Sequence, residues 1–187
     1  MQLPFLGQTY ESQSPDAACE RTVNWYPEAM EAPNGKTRLA LYPTPGYVVW
    51  ATLPQVNVRA LFNADGRLFA VAGTGFYEIS ALGVVTLRGT VATSTDPASM
   101  ATNGDGGGQL FVTSGNIGYH YSLGTNTLTA VLSSAAVCDY IDGYFVALDT
   151  ATSTLLVSGR MDGSAWDALM VSQRSTASDP WVGMTVS

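Results

Sequence analysis

From about Val48 onward, short apolar runs alternate with clusters of glycine, asparagine and aspartate. Val58 to Phe62, Leu68 to Ala72, Phe76 to Ser80 and Val84 to Leu87 each read as a strand, because runs of this length bounded by turn residues fit half-buried or buried strands. The intervening turns are Asn63-Ala64-Asp65-Gly66, Gly73-Thr74-Gly75 and Leu82-Gly83. Connections this tight join antiparallel neighbours, so the segment predicts a four-stranded meander.

The unit recurs. Gly66-Arg67-Leu68-Phe69-Ala70-Val71-Ala72-Gly73 aligns with Gly108-Gln109-Leu110-Phe111-Val112-Thr113-Ser114-Gly115, an offset of 42 residues. A glycine turn and an aromatic strand follow each copy, Gly75 to Ile79 and Gly118 to Ser122. A third copy begins at Asp142-Gly143-Tyr144-Phe145 and continues through Leu155-Leu156-Val157-Ser158. A period of about 40 residues with four strands per unit predicts all-β, β-propeller-type blades. A blade cannot cover both of its faces alone, so it stacks on its neighbours around an axis. About three units fit between residues 48 and 187, fewer than the 4 to 8 or so of a closed ring. The expectation is therefore a partial propeller, either the leading part of a longer polypeptide or a body whose open edge another chain covers. Trp181 to Ser187 reads as the beginning of a strand.

Residues 1–47 differ from the rest. They hold Pro4, Pro15, Pro27, Pro33, Pro43 and Pro45, six of the nine prolines. Proline removes a backbone donor and disfavours helices and central strands. This segment is expected to be an extended arm, with one helical turn near Asp16-Ala17-Ala18. Trp25 and Tyr26 are anchor residues of the kind that dominate interfaces. Asn24, Trp25, Tyr26, Pro27, Glu28, Pro45 and Gly46 form the candidate interface, either strapping the chain's own blades or docking on a neighbouring subunit.

Composition narrows the possible functions. Charged residues make up 12% of the chain, about half of the usual ~25%. The 4 Trp, 9 Tyr and 6 Phe argue against disorder. Net charge is -7, Lys36 is the only lysine, and the arginines are scattered. Tight or sequence-specific nucleic-acid binding, which needs clustered cations, is not expected. Two distant cysteines, Cys19 and Cys138, make no disulfide framework and read as reduced thiols. The opening Met1-Gln2-Leu3-Pro4-Phe5 has no signal-peptide pattern, and no apolar stretch reaches the ~18 residues of a membrane span. Synthesis in a cytoplasm is the corresponding expectation.

Candidate chemistry is sparse. The single histidine, His120, lies between two tyrosines in a strand, and no G-x-S-x-G elbow accompanies it. One histidine and two cysteines do not make a zinc site. Asn103-Gly104-Asp105-Gly106-Gly107-Gly108 lacks the acidic pattern and closing glutamate of a calcium loop. Its glycines suit a hairpin loop needing positive φ. No cofactor, metal or catalytic residue is expected, and the chain does not read as an enzyme. Asp162-Gly163-Ser164-Ala165-Trp166 resembles a sialidase-type Asp-box turn, with Gly163 directly after Asp162 and the Trp one residue early. That motif is a folding element of blade turns, so Asp162, Gly163 and Trp166 are expected to hold a turn.

The run Ser12-Gln13-Ser14-Pro15-Asp16-Ala17-Ala18-Cys19-Glu20-Arg21-Thr22-Val23-Asn24-Trp25-Tyr26-Pro27-Glu28, followed by Leu39-Ala40-Leu41-Tyr42-Pro43-Thr44-Pro45-Gly46, resembles the opening of the phage tail accessory, or packaged DNA stabilisation, family of short-tailed bacteriophages. The segments at Gly66 to Gly73, Asp142 to Phe145 and Asp162 to Leu169 resemble it as well. Members of that family are longer. The resemblance implies a non-enzymatic structural protein of the virion tail. It would form a homo-oligomeric ring, commonly of six copies, below the portal, in a tail hub or nozzle. There it would help retain packaged DNA, contact portal-adjacent connector proteins and receive the tail needle or tip. An acidic surface around such a channel would let DNA pass without sticking. A carbohydrate-binding or receptor-binding propeller module is the alternative, since exposed Trp and Tyr at blade edges could stack on sugars.

Overall fold

The computed structural model describes residues 24–31, 37–173 and 179–186. The expected turn at Asp16-Ala17-Ala18, and Cys19, lie outside these residues. The chain divides into Met1–Val49 and Trp50–Ser187.

The described part of the first unit is not a single extended run. β1 (Trp25–Glu31) and β2 (Thr37–Pro43) pair as an antiparallel hairpin. Proline is compatible with this pairing because each strand of a two-stranded sheet has one free edge, where a missing N–H removes no ladder bond. Pro27 sits opposite Leu41, and Pro43 opposite Trp25.

The second unit contains β3 (Val58–Ala64), β4 (Arg67–Ala72), β5 (Gly75–Ile79), β6 (Val85–Thr90), β7 (Ser99–Thr102), β8 (Gln109–Ser114), β9 (Ile117–Ser122), β10 (Thr127–Leu132), β11 (Val137–Ile141), β12 (Tyr144–Asp149), β13 (Thr154–Arg160) and β14 (Asp162–Gln173). They form three four-stranded antiparallel meanders, β3 to β6, β7 to β10 and β11 to β14, with spatial order following chain order in each. No helix occurs among the described residues. First strands neighbour first strands, β3 beside β7 and β7 beside β11, and last strands neighbour last strands, β6 beside β10 and β10 beside β14. The sheets therefore stack face to face as propeller-type blades. The Gly66 and Gly108 copies become β4 and β8, second strands of successive blades.

Alternation along the strands builds two joints. Between the first and second blades, Phe69, Val71, Phe76, Leu110, Val112, Tyr119 and Tyr121 form one buried cluster. Tyr121 meets Phe69 and Phe76 edge-on at centroid distances of 5.4 and 5.0 Å. Between the second and third blades, Phe111 meets Phe145 at 5.8 Å, with Ala101, Cys138 and Ala147 filling the space around them. The second cluster has fewer and smaller side chains. Burying one such aromatic ring is worth ~3–5 kcal/mol, judged by truncation to alanine.

The outer faces of the stack are covered by chain without strand structure. On the first blade, Trp50 to Asn57 crosses the side carrying Leu68, Ala70, Tyr77 and Ile79. Ala51, Leu53 and Gln55 are partly buried, whereas Thr52, Pro54 and Val56 are exposed. The Trp50 indole donates to Ala81 O at 3.3 Å, and Gln55 Oε1 accepts from the Thr74 amide at 2.7 Å. On the third blade, Asp179 to Val186 lies over the side carrying Asp139, Val146 and Leu148. The Trp181 amide donates to Ser153 Oγ at 3.0 Å, and that of Val186 to Asp139 Oδ2 at 3.2 Å. Residues 181–186 are thus a cover and not the start of a strand. Their polar backbone is tied to side chains across the blade, without a neighbouring ladder.

Candidate interaction surfaces and the blade turn

Period-two alternation puts aromatic side chains on both faces of the hairpin. Tyr26 and Tyr42 lie opposite each other and stack at 5.7 Å on one face. Trp25, Pro27, Leu41 and Pro43 share the other. Trp25 and Tyr26 keep 47% and 50% of their surface exposed, far more than an aromatic residue in a core. Asn24, at φ +61°, precedes β1, and its carbonyl accepts from the Thr44 amide at 2.9 Å and the Thr44 hydroxyl at 3.3 Å. Glu28 is exposed, and so are Pro45 and Gly46, which follow β2. The hairpin thus pairs Asn24–Glu28 with residues 40–44. Tyr42 and Leu41 complete the aromatic surface; the sequence reading passed over them, although Leu39-Ala40-Leu41-Tyr42 has strand character. Tyr47, Val48 and Val49 continue as an exposed apolar connector.

Asp162, Gly163 and Trp166 lie together at the second joint. Asp162 Oδ1 accepts from the Ser164 amide at 2.9 Å and the Ser164 hydroxyl at 2.6 Å. The Ser164 hydroxyl bond is the main reason the Asp162 carboxyl is held below the usual carboxylate range. Trp166 Nε1 donates to Gly163 O at 2.8 Å, and its ring lies 5.0 Å from Phe111 of the neighbouring blade. The turn itself centres on Met161, at φ +57°, and Asp162 already opens β14. The part played by Gly163 was not visible in the sequence. A Cβ there would come within 2.9 Å of two Phe145 ring carbons and 3.5 Å of His120 Cδ2. The Gly163 amide donates to Gln109 Oε1 at 2.8 Å, tying the third blade to the second.

His120 belongs to this joint, not to a reactive cluster. Burial pushes its imidazole below the ordinary histidine range, and nearby Asp162 partly offsets the effect. Cys138 is buried in the same joint, and desolvation pushes its thiol up to about 12, so it is inert at neutral pH. The Asn103–Gly108 loop has positive φ at Gly104, Gly106 and Gly108, as a glycine hairpin loop requires.

Two arginines cross the first joint. Arg67 forms a two-point pair with Glu78, at 2.8 and 2.7 Å, and donates to Leu123 O at 2.8 Å in the second blade. Arg88 also binds Glu78, at 2.7 Å. The Arg67 pair, chiefly, lowers the Glu78 carboxyl below its usual range. Arg59 donates to Gly73 O, Ala92 O and Ser114 Oγ at 2.8, 3.3 and 2.7 Å. Neither arginine could be assigned a role from sequence, because its partners lie up to 59 residues away.

Asp65, Asp105, Asp142 and Asp162 all sit at the end of the stack that holds the β3–β4, β7–β8, β11–β12 and β13–β14 connections. Asp65 Oδ1 accepts from the Gly106 amide across two of these loops at 3.0 Å. Among the described residues, no three His, Cys, Asp or Glu side chains gather to hold a metal ion. No helix among them is long and apolar enough to cross a membrane.

No family model matches the chain, and no curated protein matches it. Among solved structures, it is similar to the WD40 domain of Neurospora crassa Pan2, with 11% identity and a TM-score of 0.41 over 58% of this chain and 34% of that one. It is also similar to the N-terminal domain of Nup159, with 13% identity and a TM-score of 0.47 over 71% of this chain and 35% of that one. The chain therefore spans about a third of the length of the structures it matches. The likeness concerns fold alone. The protein is all-β, built of propeller-type blades, and that description rests on its own sheet order and joints.

Proposed function

We propose that this chain is a structural subunit of the tail of a short-tailed bacteriophage. In this reading, copies form a ring below the portal that helps retain packaged DNA, adjoins the head-to-tail connector proteins and receives the tail needle or tip. The observation that carries the reading is the hairpin. Trp25–Glu28, part of the run on which the family resemblance rests, lies in a strand whose aromatic side chains stay exposed on a two-stranded sheet. An isolated hairpin is marginal in water, so it gains by burying Trp25 and Tyr26 against another surface. Four aspartates at one end of the blade stack further support a channel lining that repels phosphate.

The reading is tested with the Trp25→Ala/Tyr26→Ala double variant. Native mass spectrometry of the unaltered chain should show a ring, commonly of six copies. The variant should lose the ring and keep its thermal stability within about 0.5 kcal/mol, as surface substitutions do. Unfolding of the monomer would assign the two residues to intrachain strapping. An undiminished ring would remove the hairpin from the interface. Binding of the unaltered chain to a glycan array would favour the carbohydrate-binding alternative.

A further inference from the structure

We propose that the joint between the second and third blades is an acid-sensitive latch: protonation of His120 releases the third blade from the second while the first joint stays closed. His120 sits in β9 opposite Phe111 of β8 and Thr129 of β10. Its chain neighbours Tyr119 and Tyr121 pack toward the first blade, so the imidazole points toward the third. It meets Gly163 there, and its Nε2 is buried without a hydrogen-bond partner. A neutral imidazole can leave a lone pair facing an apolar wall. An imidazolium would have to bury a charged N–H without an acceptor, which is far more costly.

The groups around the ring favour the neutral form. Gln109 and Phe111 from β8, Thr129 from β10 and Phe145 from β12 carry no charge. Asp162 from β14 does attract the imidazolium, but desolvation of the ring is the larger effect. The sign follows: His120 in the folded state binds its proton more weakly than in the unfolded chain. Stability is present above the ordinary histidine value of about 6.5 and is lost as pH falls from there through the lower folded value. The first joint behaves differently. Its Glu78 carboxylate, held by Arg67 and Arg88, stays ionised into more acidic conditions, and its apolar cluster is larger. No other histidine exists in the chain, so this pH window belongs to one side chain.

Cys138 reports on the latch, because its Sγ lies inside the joint, 3.6 Å from Ser99 Oγ and 3.7 Å from Phe111 O. The test uses the full chain carrying Cys19→Ser and the acid-active thiol reagent 4,4′-dithiodipyridine. Labelling rates are normalised to the denatured chain at each pH. Protection of Cys138 should fall between pH 7 and pH 5, about tenfold for each pH unit by which the folded His120 value lies below the unfolded one. The β-sheet circular dichroism should persist at pH 5. In the His120→Leu chain the protection should be flat over the same range. Flat protection in the parent, an equal fall in His120→Leu, or loss of the β-sheet signal at pH 5 would each overturn the proposal. Should His120→Leu fail to fold, the single imidazole is titrated by NMR in the parent. A midpoint well below 6.5 supports the latch, and one at or above that value refutes it.

Discussion

Gly163→Ala tests the packing of the second joint with a single methyl group. Gly163 is buried, and it carries no positive φ, so its backbone conformation is open to alanine. The obstacle is steric. The new Cβ would stand 2.9 Å from Phe145 Cδ2 and Cε2, closer than two carbons can pack. Phe145 has no room to withdraw, because it is fully buried between Phe111 at 5.8 Å and Tyr140 at 4.9 Å. Overpacking of this kind costs ~1–3 kcal/mol. For a body of this size each kcal/mol moves Tm by roughly 4 °C, giving a fall of roughly 4–12 °C. Differential scanning calorimetry of the parent and Gly163→Ala measures it. A double-mutant cycle with Phe145→Leu then assigns the cause. In the smaller Phe145→Leu background, Gly163→Ala should cost at least about 0.5 kcal/mol less, the coupling expected of residues in contact. A change within ~0.5 kcal/mol for the single variant, or strict additivity in the cycle, would show that Gly163 does not pack against Phe145 within the third blade as the structure has it.

Two further predictions concern the first joint. Arg59→Met removes the bonds to Gly73 O, Ala92 O and Ser114 Oγ; Ala92 O keeps the Ser114 hydroxyl as a donor, while Gly73 O and Ser114 Oγ lose the guanidinium. It should destabilise by roughly 2–4 kcal/mol in urea unfolding, since charged hydrogen bonds contribute ~1.5–3 kcal/mol each without full additivity. An effect below about 0.5 kcal/mol would contradict its bridging role. Glu78 has a lowered folded pKa, so its contribution is present above the unfolded value of about 4.3 and is lost as pH falls through the folded value. Glu78→Gln should therefore flatten the stability profile below about pH 4.3, as read by denaturation midpoints across pH. An unchanged acid slope would contradict the pairing with Arg67 and Arg88.

The blades were legible in the sequence because their signal is local. Leu68 to Ala72 and Leu110 to Thr113 are apolar runs between glycines, and their neighbours in the sheet are the next strands in the chain. The 42-residue offset of Gly66 and Gly108 then gave the stacking. Prolines disfavour strand structure in general, which is why the sequence of the arm predicts an extended run. A two-stranded hairpin has free edges that accommodate Pro27 and Pro43. The covers were missed for a related reason. Ala51, Leu53 and Gln55 alternate as a strand does, but they bind the blade through side chains and a few long-range bonds that leave no mark on chain spacing. The same holds for Arg59, Arg67 and Gly163, whose partners come from other blades. The Asp162 motif reads in sequence as a turn element, whereas the turn centres on Met161 and Asp162 opens β14. Its docking against Phe145 and Gln109 of its own and the neighbouring blade was not legible in the sequence.

Electron cryo-microscopy of a phage particle assembled with this chain, the setting the proposed function assigns to it, tests the central claim most directly. The account predicts a ring of three-blade bodies below the portal, each with its β1–β2 hairpin buried against an adjoining surface and its aspartate-bearing end toward the channel. Density placing the chain outside the tail, or copies that make no contact through Trp25 and Tyr26, would contradict it.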